Sequence, residues 1–190
     1  MDKQPRLPPT FRSLYRLFLR TASATVLHHR QARRNLRQRW RPVFDAGAKV
    51  SRELQNAPTD ASESWIKGRE DWLRVWNKRM DNTLSFLYTA SQSRGQPHKV
   101  TRNLAFMVGN ERERLISKYA RMHKWDPVSP KVVKPKLIEE SKKAEQFQNN
   151  AKLAFDEVVR FAEASGGGMT LGTTEFPLVR LFRSYKPNNG

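Results

Sequence analysis

Apolar residues recur every three or four positions along most of this chain, and no segment sustains the two-residue alternation of a half-buried strand. A chain with that periodicity buries its apolar side chains as stripes along helices. The sequence therefore predicts an all-α protein. Its 190 residues are enough for one domain with terminal extensions, although a mean hydropathy of −0.78 predicts a thin core.

The first helix is predicted to begin at Thr10, whose hydroxyl can cap it, and it is amphipathic. Arginines recur at four-residue intervals on one side, at Arg12, Arg16 and Arg20. The opposite side is apolar and consists of Phe11, Leu14, Tyr15, Phe18 and Ala22. The weak helix formers of residues 21–26 predict a break before the next helix.

The second helix carries a denser row of arginines with no acidic residue between them. Their spacing places all of them on one face, at Arg30, Arg33, Arg34, Arg37 and Arg41. A solvated face and an anion-binding face are equally open interpretations of this row. Leu36 and Trp40 lie on another face. Pro42 is expected to end the helix, because proline disfavours helix at the residue before it, and residues 45–62 are expected to be a connection.

Three further helices are predicted from apolar stripes, over about residues 63–90, 102–124 and 137–164, with Thr101 as the cap of the middle one. The first stripe contains Trp65, Trp72, Leu73, Trp76, Met80, Leu84, Phe86 and Leu87. The second contains Leu104, Met107, Val108, Leu115 and Tyr119. The third contains Ala144, Phe147, Ala151, Phe155, Val158 and Ala162. Core packing is the favoured interpretation of the first stripe, the second is expected to be buried, and the third forms the apolar face of its helix.

Composition shifts divide the chain into five segments. These are an extended leader at 1–9, a helical core with its following helix at 10–125, a proline-rich basic linker at 126–136, the C-terminal helix at 137–164 and a flexible apolar and basic tail at 165–190. The glycines at 166–168 are expected to uncouple the tail from the last helix. We interpret the tail as a peptide that orders on a partner, with folding onto its own helices as the alternative.

Net charge limits the kinds of partner. The chain has 36 Lys and Arg against 18 Asp and Glu, a net charge of +18, which favours nucleic acid, an anionic membrane surface or an acidic protein. No transmembrane segment is expected, because no apolar run approaches the ~20 residues that one needs. The first fifty residues contain only Asp2 and Asp45 as acids, a composition typical of mitochondrial targeting regions, so we expect the mitochondrial matrix.

Catalytic chemistry is not indicated by any motif. The chain has no cysteine, its four histidines are scattered, and its only glycine run lacks the Lys-Ser/Thr of a phosphate-binding loop. No spacing of carboxylates, or of a nucleophile with a base, matches an acid–base or hydrolytic site. We therefore expect a protein that is not an enzyme and holds no metal.

The tripeptide Leu14-Tyr15-Arg16 lies near the start of the amphipathic first helix. It is followed by apolar Leu17, Phe18 and Leu19, by the arginine-rich segment 33–41 and by Phe44. On these residues, about 10–90 of the chain resembles the LYR-motif family of small mitochondrial accessory and assembly proteins. The chain differs from the family pattern because Phe44 follows Pro42 instead of lying within a helix, and because it continues well beyond this module.

The resemblance implies an antiparallel three-helix bundle that binds the mitochondrial acyl carrier protein, which supplies its own acyl-phosphopantetheine, so that no cofactor is bound directly. The implied carrier-binding residues are Arg12, Tyr15, Arg16, Arg20, Arg33, Arg34, Arg37 and Arg41. The implied acyl-groove residues are Leu14, Phe18, Leu36, Trp72, Trp76 and Met80. The additional helices and the tail would confer specificity for a large mitochondrial complex.

We therefore predict an adaptor that docks acyl-loaded carrier protein on a large assembly. The net charge of +18 favours the mitochondrial ribosome, with ribosomal RNA as a further contact. One alternative is an accessory subunit or assembly factor of a respiratory complex such as complex I. The other is a structural protein that binds ribosomal RNA and carries the tripeptide by coincidence.

Overall fold

The computed structural model describes residues 6–58, 61–122, 128, 135–165 and 167–173. Over these residues it contains helices and no strand. The helices are α1 (Pro9–Thr25), α2 (Arg30–Gln55), α3 (Glu63–Gln92), α4 (Gln96–Met122) and α5 (Pro135–Ser165). The prediction of an all-α protein is confirmed for these residues. A break does separate the first two helices, but it lies at residues 26–29, and residues 21–25, where it was predicted to begin, are helical.

Helices α1, α2 and α3 each contact the other two, and α4 packs against both α2 and α3. Their shared interior is strongly aromatic. The Phe44 ring lies 4.9 Å from that of Phe18 and 5.7 Å from that of Trp76, both as edge contacts, while Phe11 stacks on Trp76 at 5.4 Å. Such edge-to-face and stacked pairs stabilise a core beyond the area that they bury.

Helix α2 continues through Pro42, so the prediction that this proline ends it is wrong. The helix runs on to Gln55, so residues 45–55 of the predicted connection form about three more turns. Beyond the proline, Phe44, Gly47 and Ala48 are buried. A proline removes one backbone hydrogen bond from a helix interior, but burial of this face against α1 and α3 outweighs that cost. Phe44 therefore lies within a helix, and the expected difference from the family pattern at this residue disappears.

Two predicted caps are also wrong. Helix α1 begins at Pro9, where proline is favoured because the first-turn amides lack helical partners, and no side chain caps it. Helix α4 begins at Gln96, and Thr101 lies inside it with its hydroxyl donating to the Pro97 carbonyl at 2.9 Å. His98 in the first turn of α4 is only 7% exposed, and its burial favours a helix that begins before the predicted boundary.

Helix α5 buries a narrower face than predicted. Val159 is 8% exposed and packs in the core with the half-buried Phe155 and Ala162, whereas Phe147 and Val158 are 74% and 63% exposed. Phe155, Val159 and Ala162 follow the i, i+4, i+7 spacing of one helix face, and this face meets the core. Only the second half of α5 therefore contributes to the core, and Ala144, Phe147, Ala151 and Val158 of the predicted apolar face are exposed.

Residues 167–173, which we call the C-terminal strap, pack against the core, so their predicted flexibility is wrong. Leu171 is 3% exposed within the core cluster. The Trp40 indole donates to the Thr170 carbonyl at 3.0 Å, and the Thr83 hydroxyl accepts from the Thr170 amide at 2.9 Å. The rest of the predicted tail, 174–190, and most of the predicted linker lie outside the described residues.

Candidate functional site

An open groove of about 1010 Å³ lies where α1 ends and α2 begins. Arginines from both helices line it, and the described lining contains no aspartate or glutamate. These arginines are Arg20, Arg30, Arg33, Arg34 and Arg37. None of the five forms an ion pair with a described residue. The groove thus concentrates uncompensated positive charge at one end of the bundle.

A tight reversal between α1 and α2 creates this groove. Leu27 and His28 adopt left-handed backbone conformations, with φ of 53° and 58°. The reversal is held by a backbone bond from the His28 amide to the Ser23 carbonyl, 2.9 Å, and by a bond between the Ser23 hydroxyl and His28 Nδ1, also 2.9 Å. His29 Nδ1 then accepts from the Ala32 amide and caps α2. The two histidines therefore shape the groove structurally.

Burial of the opposite face of α2 fixes the outward direction of its arginines. Leu36 and Trp40 are completely buried, and the buried Asn35 donates from Nδ2 to the Ala105 carbonyl of α4 at 2.9 Å. A cation of α4 lies near the groove: burial, and then the charge of Arg34, lower the pKa of Arg112, while the charge of Glu113 opposes the shift. Arg34 and Arg112 repel each other, and an anion placed near them would be attracted by both.

The structure brings together four of the eight residues predicted to bind the carrier, and Arg30 joins them. The remaining arginines are exposed outside the groove lining; Arg12 and Arg16 lie on α1, and Arg41 forms an ion pair with Asp45 at 3.8 Å. Tyr15 is half-buried with its ring 4.8 Å from that of Phe44. Its ring therefore contributes to the core, and the arginines alone form the outward surface.

The residues predicted to line an acyl groove lie mostly in the core. Phe18, Leu36 and Met80 are completely buried, Trp76 is 6% exposed and Leu14 is half-buried against the same cluster. Trp72 is 41% exposed and lies outside it. Because these core side chains pack on one another, an acyl chain could enter between them only if they moved apart. The acyl-groove role stays a prediction.

Arg39 is a buried charged residue that the sequence patterns did not single out. Its side chain is 1% exposed, and it donates from Nε to the Leu171 carbonyl of the C-terminal strap. Burial lowers its pKa to about 10, while the charges of Asp156 and Glu163 oppose that shift, so it stays protonated at neutral pH. In the sequence, its position next to Trp40 was the only indication that this arginine is buried.

Two absences hold within the described residues. No helix there has the length and hydropathy needed to cross a membrane. No group of three or more His, Asp or Glu side chains is arranged there to hold a metal ion.

The arrangement of the groove suits binding of an anionic surface. Guanidinium groups offer forked donors that match carboxylates and phosphates, and five of them converge here from two helices. Comparison of the chain with protein-family models, with curated proteins and with solved structures finds no match.

Proposed function

We propose that this protein is a non-enzymatic adaptor whose α1–α2 arginine groove binds an acidic protein, an acyl carrier of the kind that LYR-motif proteins bind. The observation that carries the proposal is the convergence of Arg20 from α1 with four arginines of α2 in a groove lined by no described acidic residue. Five like charges held together without counter-charge repel one another, and an acidic partner relieves that repulsion.

The rigidity of the groove supports a protein partner. The reversal at Leu27 and His28 is fixed by hydrogen bonds to Ser23 before any partner arrives. A partner therefore meets arginines whose backbone positions are already set, which lowers the entropic cost of binding. Acidic helices with carboxylates at i and i+4 would match this cationic surface.

The positions of the LYR tripeptide residues also fit the family pattern. Leu14 and Tyr15 face the core and Arg16 faces solvent, and Tyr15 meets Phe44 from within α2. In the proposed complex Arg16 and Arg20 extend the contact along α1. The acyl chain of the carrier would have to separate core side chains such as Phe18 and Met80 to enter between the helices.

We further propose that the adaptor acts in the mitochondrial matrix and docks the carrier on a large assembly, with the mitochondrial ribosome as the favoured client. The net charge of +18 supports a client that presents phosphate as well as protein. A respiratory complex is the alternative client. Neither client assignment affects the proposed contact between the groove and the carrier.

A second candidate function, direct binding of ribosomal RNA, is favoured by the continuation of positive charge from Arg34 to Arg112 on α4. Phosphate contacts require clustered Lys and Arg and place few demands on the fold. In this reading the groove holds sugar-phosphate backbone instead of carboxylates. The two functions predict different losses of binding when the charges of two groove arginines are reversed.

The test measures affinity for purified acyl carrier protein and for a ribosomal RNA fragment by calorimetry, at several salt concentrations. The groove variant is Arg33→Glu with Arg37→Glu. The matched control is Lys78→Glu with Arg94→Glu, two exposed cations of α3 and its following turn, which changes net charge equally. We expect the groove variant to lose carrier binding and the control to retain it, with circular dichroism unchanged in both.

Other results reject the proposal. Carrier binding that survives in the groove variant, or that falls equally in the control, would show that the groove is not the binding surface. RNA binding that falls about equally in both variants would reflect net charge alone, because non-specific association follows the number of neutralised phosphates. RNA binding lost only in the groove variant, without carrier binding by the wild type, would establish the second function.

A further inference from the structure

A second site lies between α4 and α5, and it differs from the arginine groove in both its lining and its chemistry. It is a pocket of about 410 Å³ with largely apolar walls. Met107 and Val108 come from α4, and Phe147, Ala151 and Phe155 from α5. Val108 is 1% exposed and Phe155 packs against the core, so the floor of the pocket is the core itself.

A charged cluster bridges the two helices at the pocket. Arg114 donates to both carboxylate oxygens of Glu111, at 2.8 and 2.9 Å, and its Nη1 lies 3.5 Å from Gln148 of α5. Lys152 of α5 forms no ion pair with a described residue. The pKa of Glu111 is lowered first by the hydrogen bond from Arg114, against the effect of burial, then by the charge of Arg114 and last by that of Lys152. Among the residues that line the pocket, Arg114 and Lys152 face one carboxylate, Glu111, so the lining has a net positive charge. Glu145 of α5 lies outside the lining and adds a second negative charge near Arg114.

The dimensions of the pocket suit a small molecule. Its lining runs from Met107 to Arg114 on α4 and from Phe147 to Phe155 on α5, roughly 10–12 Å along each helix at about 1.5 Å per residue. The volume falls within the range typical of small-molecule pockets, about 300–1,000 Å³. A partner helix of three turns would be longer than the lining, so the pocket is not a groove for a docked helix.

We propose that the α4–α5 pocket binds an anionic amphiphile, a straight-chain carboxylate whose chain lies against Met107, Phe147 and Phe155 and whose head group meets Lys152 and Arg114. Charge complementarity selects this occupant. The chain's own residues 174–190 carry Arg180, Arg183 and Lys186 and would add like charge to the cluster. A second copy of the chain carries the same net charge of +18 and would be repelled by the first.

This inference does not rest on the proposed function, because none of the pocket residues lines the arginine groove. Loss of carrier binding and loss of amphiphile binding would therefore follow from different substitutions. The occupied pocket would cover Phe147 and Met107, which are among the exposed apolar side chains of α4 and α5.

The test titrates the full chain with saturated carboxylates from hexanoate to myristate, below their micelle concentrations, by calorimetry. Each added methylene should raise affinity about fourfold until the pocket is filled, and then no further. The heat-capacity change of binding should be negative, because apolar surface is buried. Absence of binding by the full chain overturns the proposal.

Matched variants locate the site. Ala151→Trp fills the pocket from an exposed helical position and should abolish binding, whereas Ala154→Trp, exposed on the same helix but outside the lining, should leave it intact. Lys152→Gln should weaken carboxylate binding several-fold and leave binding of the primary alcohol of equal length unchanged. Equal effects of the two tryptophan variants overturn the pocket assignment, and equal affinity of the wild type for acid and alcohol overturns the anionic head group.

Discussion

Arg39 of α2 donates from Nε to the main-chain carbonyl of Leu171, a residue 132 positions later in the chain. This bond joins a buried charge to the last apolar residue of the described core. The Thr173 amide returns a bond to the Arg39 carbonyl at 3.1 Å, and Gly172 lies so close that a Cβ there would be 2.8 Å from Arg39 Cγ. The C-terminal strap is therefore part of the bundle.

Replacing Arg39 with methionine should destabilise the protein and release the strap. As long as the strap stays docked, the carbonyls of Leu171 and Gly172 lack their donor, and an unsatisfied buried acceptor costs about 1–3 kcal/mol, which favours release of the strap. Urea unfolding measures the change in the free energy of unfolding, and amide exchange of residues 167–173 measures release. Arg37→Met, exposed on the same helix, is the control and should have little effect. Unchanged exchange of the strap in Arg39→Met would contradict the assigned role.

Two glycines should respond oppositely to alanine. A Cβ at Gly47 would lie 2.8 Å from two atoms of the Trp76 ring, so Gly47→Ala forces the core apart and should lower the free energy of unfolding by about 1–3 kcal/mol. Gly68 is exposed on α3 with no atom within 4 Å of its would-be Cβ, so Gly68→Ala should raise it by up to about 1 kcal/mol. Thermal melts of both variants give the signs directly.

Two exposed leucines should also respond oppositely, this time to glycine. Leu27 has a left-handed backbone and is 56% exposed, so Leu27→Gly removes strain of roughly 1–2 kcal/mol, less the chain entropy that glycine adds. Leu17 is 52% exposed but helical, and Leu17→Gly should cost about 1 kcal/mol. A destabilised Leu27→Gly variant would show that the reversal needs the leucine side chain.

Stability should depend on pH through Glu111. The hydrogen bond from Arg114 holds the pKa of Glu111 below its usual value, so its contribution to stability is present above the unfolded pKa, about 4.3, and is lost as pH falls through the folded pKa. The wild type should exceed Glu111→Gln in free energy of unfolding at neutral pH, and the two should converge on acidification. Arg114→Gln should show the same convergence, since it breaks the same pair. A gap that persists in acid would contradict this.

The helical architecture was predictable because its signal is local and repeated. The rows of arginine and apolar residues on α1 place Arg12, Arg16 and Arg20 outside and Phe18 and Ala22 inside, as the structure does. The end of α2 was not predictable from Pro42, because the outcome depends on burial of later residues against other helices. Packing between helices decides whether a helix continues past a proline, and the residues around the proline do not reveal that packing.

The arginine groove was predictable only in part. The row on α2 is visible in its spacing, but its meeting with Arg20 depends on a reversal whose left-handed residues are leucine and histidine. Neither residue type signals that conformation, which glycine or asparagine would have indicated. The strap was missed because the acceptors that hold it, such as the Thr170 and Leu171 carbonyls, are backbone atoms that leave no trace in residue identity.

The position of Leu171 in the core has a consequence for the order in which the molecule is completed during synthesis. A ribosome makes the N-terminal helices first, at about 5–20 residues per second. Until the final turns of α5 and the strap emerge, Arg39 lacks the carbonyls that it contacts in the finished protein, and the site above Trp40 and Thr83 stays open. A nascent chain that stops before residue 171 therefore leaves this site uncovered, and the chain covers it once the strap has been made.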